Sequence, residues 1–146
     1  MRWHSALRAN RNCFIEEKCV WKNSGSTLSF KETSDAEFST IAIDHHAKIR
    51  ENGRVYDVDS ISLNDLLTKY GAPTTIDYLS LDTEGSVYEI LSHFYFSRYQ
   101  FNIITCEHNY TPAREKLFDL LMTHGYRRCF ENSSLWDDWY VRILPG

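Results

Sequence analysis

Two pairs of side chains in this sequence stand where chemistry could be done. Asp82 and Glu84, in Leu81-Asp82-Thr83-Glu84-Gly85-Ser86, put two carboxylates one residue apart directly after an apolar stretch. Glu107 and His108 follow a second apolar stretch, Phe101 to Cys106, in the same manner. Carboxylates accept protons, hydrogen bonds from hydroxyl groups and hard cations, and imidazole titrates near neutrality. One reading therefore makes Asp82, Glu84 and His108 catalytic, with His108 as the proton acceptor. A second makes Asp82, Glu84 and Glu107 oxygen ligands and His108 a nitrogen ligand of Mg²⁺ or Mn²⁺, with His45 or His46 as a further donor. A third gives the acids no reaction to perform, because negative charge suits the free N–H groups and dipole at a helix start. Side chains of adjacent histidines diverge, so His45 and His46 are expected in an exposed loop rather than on a shared metal. His93 and His124 fall late in predicted helices, where a cationic ring suits the dipole, and take no functional role.

The elements that must position these residues are set by changes of hydrophobic period. Ile76 to Leu81 is a short apolar-rich run, expected as a strand buried on both faces of a parallel sheet. Gly85 permits a tight turn, and Ser86 can cap the helix predicted after it. Val87, Ile90, Leu91 and Phe94 fall on one stripe of that amphipathic helix. In open α/β sheets, ligands bind beyond the carboxyl ends of the strands, which is where these acids stand.

Upstream, Trp3 to Arg11 has helical residues. Cys13 to Trp21 reads as a strand interrupted at Glu16 to Lys18, and a turn at Asn23 to Ser26 joins it to an alternating strand, Thr27 to Phe30, as a hairpin. Ser34 to Lys48 reads as loop. Val55 to Leu63 is a further strand, and Ser62-Leu63-Asn64-Asp65 has the form of a helix cap. Leu63, Leu66, Leu67 and Tyr70 share the face of that helix, which Gly71 and Pro73 end. Downstream, Thr111 caps a helix begun by Pro112, with Leu117, Phe118, Leu120 and Leu121 on its apolar face and Gly125 at its end. Tyr126 to Phe130 and Trp139 to Leu144 form a closing hairpin. Strands alternating with helices, then a hairpin, predict a single α/β domain over residues 1–146 with an antiparallel C-terminal strand.

Bulk properties exclude several function classes. With 42% hydrophobic and 25% charged residues in a chain of 146, a folded domain with a real core is expected. The net charge is −4 and no basic run exceeds a pair such as Arg127-Arg128, so a nucleic-acid backbone is not an expected partner. No apolar run approaches the roughly 18 residues of a membrane span, and the N-terminus lacks a signal-peptide core, so a soluble, cytoplasmic protein is expected. Cys13, Cys19, Cys106 and Cys129 form no Cys-x-x-Cys pair, and free thiols are expected.

Three stretches taken together, Val58 to Leu67, Ile76 to Ser86 with its Leu-Asp-x-Glu-Gly-Ser core, and Ile104 to Asn109, resemble the FkbM family of S-adenosylmethionine-dependent methyltransferases. Leu7-x-x-Asn10-Arg11 with the later Val20-Trp21 and Ser24-Gly25 is similar to that family's stretch after its second strand. The resemblance runs from about Leu7 to Leu144. It implies a Rossmann-like methyltransferase sheet, mostly parallel, with S-adenosylmethionine as cofactor. Asp82 would lie near cofactor and acceptor with Glu84 as its partner, and Trp21 would lie near the adenine. The implied activity is O-methyl transfer to a hydroxyl of a sugar or other small molecule, or a C-terminal portion of such an enzyme. The family's first strand with its Gly-rich turn, and its second strand ending in a ribose-binding acid, have no counterpart here, and no Gly-x-Gly pair occurs. The sheet is thus expected to be incomplete at its N-terminal side. A homodimer or another partner would cover the exposed edge, and a non-catalytic binding or assembly module is the alternative function.

Overall fold

Residue Ser62 marks the point at which a strand becomes a helix, and it shows how closely local chemistry dictates the elements of this chain. The computed structural model describes residues 4–33, 39–41 and 53–144. Strand β4, Gly53–Ser62, runs straight into helix α2, Leu63–Lys69, and the Ser62 hydroxyl accepts the Asp65 N–H at 3.1 Å as the cap sequence predicts. Gly71, with φ of 63°, ends the helix turn in the left-handed conformation that glycine adopts at least cost.

Ahead of β4 lie helix α1, His4–Asn10, and strands β1, Cys19–Trp21, β2, Thr27–Thr33, and β3, Thr40–Ile41. Among the described residues these strands form one four-stranded sheet in the order β1-β4-β2-β3. The expected hairpin between the strands flanking Asn23 to Ser26 is not formed. Strand β1 pairs parallel with β4, and β2 pairs antiparallel with the same strand. The reason is Ser60, fully buried in β4. Its N–H donates to the Ser26 carbonyl at 2.8 Å and its carbonyl accepts the Gly25 N–H at 3.1 Å. Its hydroxyl donates to the Asn23 carbonyl at 2.8 Å and accepts the Ser26 N–H at 3.0 Å. Hydrogen bonds that would close a hairpin turn thus go to β4, which lies between the two strands. The strand predicted from Cys13 shortens to Cys19–Trp21, after the charged Glu16-Glu17-Lys18. Within the stretch expected as loop, residues 40–41 form β3, and His45 and His46 lie outside the described residues.

The second sheet carries the acids. It contains β5, Thr75–Leu81, β6, Gln100–Glu107, β7, Tyr126–Cys129, and β8, Asp137–Arg142, in the order β5-β6-β8-β7. Strands β5 and β6 are parallel, while β8 runs antiparallel to both β6 and β7, so the predicted closing hairpin is present. A mostly parallel sheet does not form. Four of the six pairings among the described residues are antiparallel, and the β7-to-β8 connection returns the chain directly with no crossover helix. Nor is β5 buried on both faces. Among the described residues it pairs with β6 alone, and Tyr78 is 51% exposed.

Helices α3, Val87–Ser92, and α4, Ala113–Thr123, cover this sheet. The stripe of Val87, Ile90, Leu91 and Phe94 is buried as its spacing predicts, against Phe101, Ile104, Leu117 and Leu121. Both caps differ from those expected. The Ser86 hydroxyl turns back to the Thr83 carbonyl at 3.3 Å, and Thr111 bonds the His108 carbonyl at 3.0 Å while Pro112 takes the cap position. All four cysteines are free.

One buried charge ties α4 to the sheet. Asp138 in β8 is fully buried and accepts two 2.7 Å hydrogen bonds from the Arg114 guanidinium. Removing it would leave the part-buried guanidinium groups of Arg114 and Arg128 without the carboxylate they share. Asp138→Ala is expected to lower the unfolding free energy by about 3–5 kcal/mol in urea titrations, far more than the ~1 kcal/mol of a lost surface cap.

Candidate active site

Parallel pairing brings the acids together. Strands β5 and β6 stay in step to their last matched residues, Leu81 opposite Cys106, so the chain delivers Asp82 and Glu107 side by side at the same end of the sheet. After β5 the backbone turns sharply: Glu84, with φ of 53°, and Gly85, with φ of 109°, are both left-handed. This turn aims the Glu84 N–H at the Glu107 carboxylate, 3.0 Å from Oε2. The other oxygen, Oε1, accepts the Asn109 side-chain N–H at 2.5 Å. Asp82, Glu84 and Glu107 each offer an oxygen within 4.8 Å of the others, an arrangement suited to hydroxyl donors or to a hard divalent cation.

Three like charges so close cannot all be carried at little cost. Burial, followed by the charges of Asp82 and Glu84, pushes the Glu107 carboxyl up to about 7. A hydrogen bond between the Asp82 and Glu107 carboxyls, which needs the proton, acts in the same direction, and the Asn109 amide opposes it. Glu107 therefore exchanges a proton near neutrality, as a general base must.

Strain is concentrated around this trio. Glu84, Asn109 and Tyr110 are three of the four non-glycine residues with positive φ among the described residues, at 53°, 45° and 54°. Each such residue costs of order 1 kcal/mol and persists only where its surroundings over-determine it. The surroundings here are plain. His108 donates its N–H to the Trp136 carbonyl at 2.9 Å, and its own carbonyl accepts from both the N–H and the hydroxyl of Thr111.

The His108 ring faces inward, with its side chain 1% exposed. Its Nδ1 accepts the Tyr110 N–H at 3.0 Å, which places the ring proton on Nε2, and Nε2 is turned toward Asp138 Oδ1 at 3.8 Å. Burial lowers its pKa, the nearby Asp138 carboxylate opposing, so the ring is held neutral. His108 thus sits beside the trio in sequence but outside it in space. Trp21 is buried at the end of β1, in the other sheet, with the Lys22 ammonium 5.5 Å from its ring. The structure therefore groups Asp82, Glu84 and Glu107 and leaves His108 out of that group, while Trp21 ends a strand of the other sheet.

Residues that sequence reasoning passed over are Asn109, Arg114 and Asp138. Asn109 carried a signal, since asparagine, here two residues after the strand-end acid, tolerates a left-handed turn better than most residues. Asp138 carried none, because Trp136-Asp137-Asp138-Trp139 reads as an exposed polar link until the register sets Asp138 opposite Cys106.

The family model for the methyltransferase FkbM domain matches residues 4–132. No curated protein and no solved structure matches the chain.

Glu107 binds its proton more tightly when folded than at the ordinary 4.5 of an unfolded chain, so protonation favours folding. Its contribution is complete below about pH 4.5 and is lost as pH rises through about 7. Glu107→Gln stays neutral throughout. The stability of the native protein minus that of Glu107→Gln should therefore fall by about 1–2 kcal/mol between pH 5 and pH 8, less than the full shift because the group is only half-buried. A difference that is flat with pH would contradict the shared proton.

Proposed function

The chain belongs to the methyltransferase FkbM family, and we propose that it is an S-adenosylmethionine-dependent O-methyltransferase acting on a hydroxyl of a sugar or other small molecule. The observation that carries this reading is the family match over residues 4–132, with two carboxylates in the Leu81-to-Ser86 turn and a third, Glu107, beside them at the end of the neighbouring parallel strand. S-adenosylmethionine, when bound, supplies an activated methyl group with its own neutral leaving group. The donor set fits a cationic sulfonium, since Asp82 and Glu84 bring negative charge to the rim. Trp21, by the family resemblance, would hold the adenine.

The residues of this chain then do three things. Glu107 takes the proton of the acceptor hydroxyl, held for that purpose by the Glu84 N–H and the Asn109 amide. Asp82, exposed at the rim, orients the acceptor and tunes Glu107 by its charge. His108 is a positioning residue in this scheme and not the base, because Nδ1 is committed to Tyr110 and Nε2 is turned into the protein. The absence of a Gly-x-Gly pair gives specific support to the rival reading, a binding module without catalysis.

The partner reading rests on β5. Its exposed residues Thr75, Asp77, Tyr78 and Ser80 include no Lys or Pro, the devices that guard a sheet edge, whereas the edge strand β7 is short and carries Arg127 and Arg128. A second copy adding its strand there is the proposed cover.

Calorimetric titration with S-adenosylmethionine should show saturable binding, weakened at least tenfold or so by Asp82→Ala. Glu107→Gln should leave that binding intact while slowing methyl transfer about 100-fold. No detectable binding to the native protein would leave the non-catalytic module standing. Light scattering should give twice the 17.2 kDa chain mass, reduced to one chain by Ser80→Lys, and a native monomer would end the edge-pairing reading.

A further inference from the structure

Side chains alternate between the faces of a strand and residues paired across strands share a face, so the register sorts the second sheet into two surfaces. One surface carries Cys106, Asp138 and Tyr140, all fully buried, and Arg128, whose guanidinium lies 4.5 Å from the Phe118 ring of α4. Helix α4 covers it. The other surface carries Glu107 opposite Asp137 and, one pair further along, Thr105 between Ser80 and Trp139, with Cys129 on the far side of Trp139. Glu107 and Trp139 are therefore diagonal neighbours on one face, a separation that an aromatic side chain reaches across.

This second surface leaves aromatic area in solvent beside the acids. Trp139 is 38% exposed and Phe130 64%, and the two rings stand at 88° with centres 6.1 Å apart, the floor and wall of an open corner. Phe130 is fixed in place: its backbone is left-handed with φ of 59°, uncommon for a bulky side chain, and its carbonyl accepts the N–H groups of Ser133 and Ser134 at 2.8 and 3.0 Å. Exposed apolar area next to a site is binding surface more often than accident.

Resting on the methyltransferase reading above, we propose that the acceptor is a phenol, its ring seated on Trp139 against Phe130 and its hydroxyl at Glu107. Successive same-face positions of a strand are about 7 Å apart, a distance that one six-membered ring with its hydroxyl spans. On transfer the phenol oxygen gives its proton to Glu107 and a lone pair to the methyl carbon, while the methyl–sulfur bond breaks and its electrons stay on sulfur as a neutral thioether.

Three arguments select a phenol. Polarity around Trp139 is one-sided, with Asp137 and Glu107 toward the rim and Cys129, Phe130 and Val141 on the remaining sides. A ring with one polar edge matches that, whereas a sugar, hydroxylated around its circumference, would press donors against apolar groups. The carboxylates of Asp82, Glu84, Glu107 and Asp137 oppose an anionic acceptor, and a cationic one would be repelled by the sulfonium of the cofactor. Acidity agrees. Glu107, pushed up to about 7, is better matched to a phenol, which ionises near ~10 as tyrosine does, than to an aliphatic hydroxyl, a far weaker acid.

The test reads the ring seat without turnover. In heteronuclear NMR spectra of the full chain, the indole N–H of Trp139 is assigned by its loss in Trp139→Phe. Para-cresol should shift that resonance saturably, with half-saturation at about 1–10 mM. Anisole, which has a similar ring without the O–H, should bind at least about fivefold more weakly. Phe130→Ala, a surface change whose folding is checked by circular dichroism, should weaken para-cresol about threefold to tenfold. An absent or unsaturable shift, equal binding of anisole, tighter binding of methyl β-D-glucopyranoside or tetramethylammonium, or undiminished binding in Phe130→Ala would each overturn the proposal. Calorimetry with S-adenosylmethionine separates the two readings: para-cresol binding without cofactor binding sinks the methyltransferase reading and leaves the ring seat, and cofactor binding without para-cresol binding does the reverse.

Discussion

Asp138 is the constraint on which the acid-bearing end of the molecule depends. A carboxylate with no solvent exposure must be neutralised by protein groups, and here Arg114 from α4 and Arg128 from β7 supply the charge, while the neutral His108 ring at the end of β6 turns Nε2 toward it. One charge therefore ties together three elements that sequence separates. Burial alone would raise the Asp138 pKa, but the Arg114 hydrogen bonds and the cations around it more than offset this and hold it below the ordinary range. The Asp138 carboxylate is thus the anchor of this end of the sheet, while the residues just after Glu107 are held by the His108 N–H on the Trp136 carbonyl, the Tyr110 N–H on His108 Nδ1 and Thr111 on the His108 carbonyl.

The Glu107 carboxyl presents the opposite electrostatic case. Around it among the described residues are the amide of Asn109, the N–H of Glu84 and two further carboxylates. Two acids at the end of one strand pair consequently have separated roles: Asp138 is kept ionised by guanidinium groups, while Glu107 is kept near its titration point by burial and like charge. Pairs whose environments push their pKa values apart in this way are a common arrangement in acid–base chemistry. Tertiary structure also decides which residue has a usable proton. On intrinsic pKa His108 is the better base, yet its ring is turned inward and both nitrogens face protein groups.

The two sheets show the same division between local and distant causes. Several locally specified features form as predicted: Ser62 capping α2, Gly71 and Gly125 ending helices, and the α3 stripe buried against Phe101 and Ile104, whereas the Ser86 and Thr111 caps do not. Pairing partners were legible only in part. The parallel β5–β6 pair and the final hairpin come from element order, but the two neighbours of β4 depended on Ser60, a small polar residue whose buried hydroxyl gave no pattern to read.

By itself, the sequence determined that Asp82 and Glu84 end one strand and Glu107 and His108 another, because hydrophobic period and turn residues act within a few positions of the chain. It also carried the family signature, since Leu-Asp-x-Glu-Gly-Ser is contiguous. Tertiary structure alone decided that Glu107 joins the two acids while His108 leaves them. Adjacent residues at a strand end point to opposite sides, and which side meets the acids depends on the register with β5 and on the buried charge of Asp138, thirty residues further on.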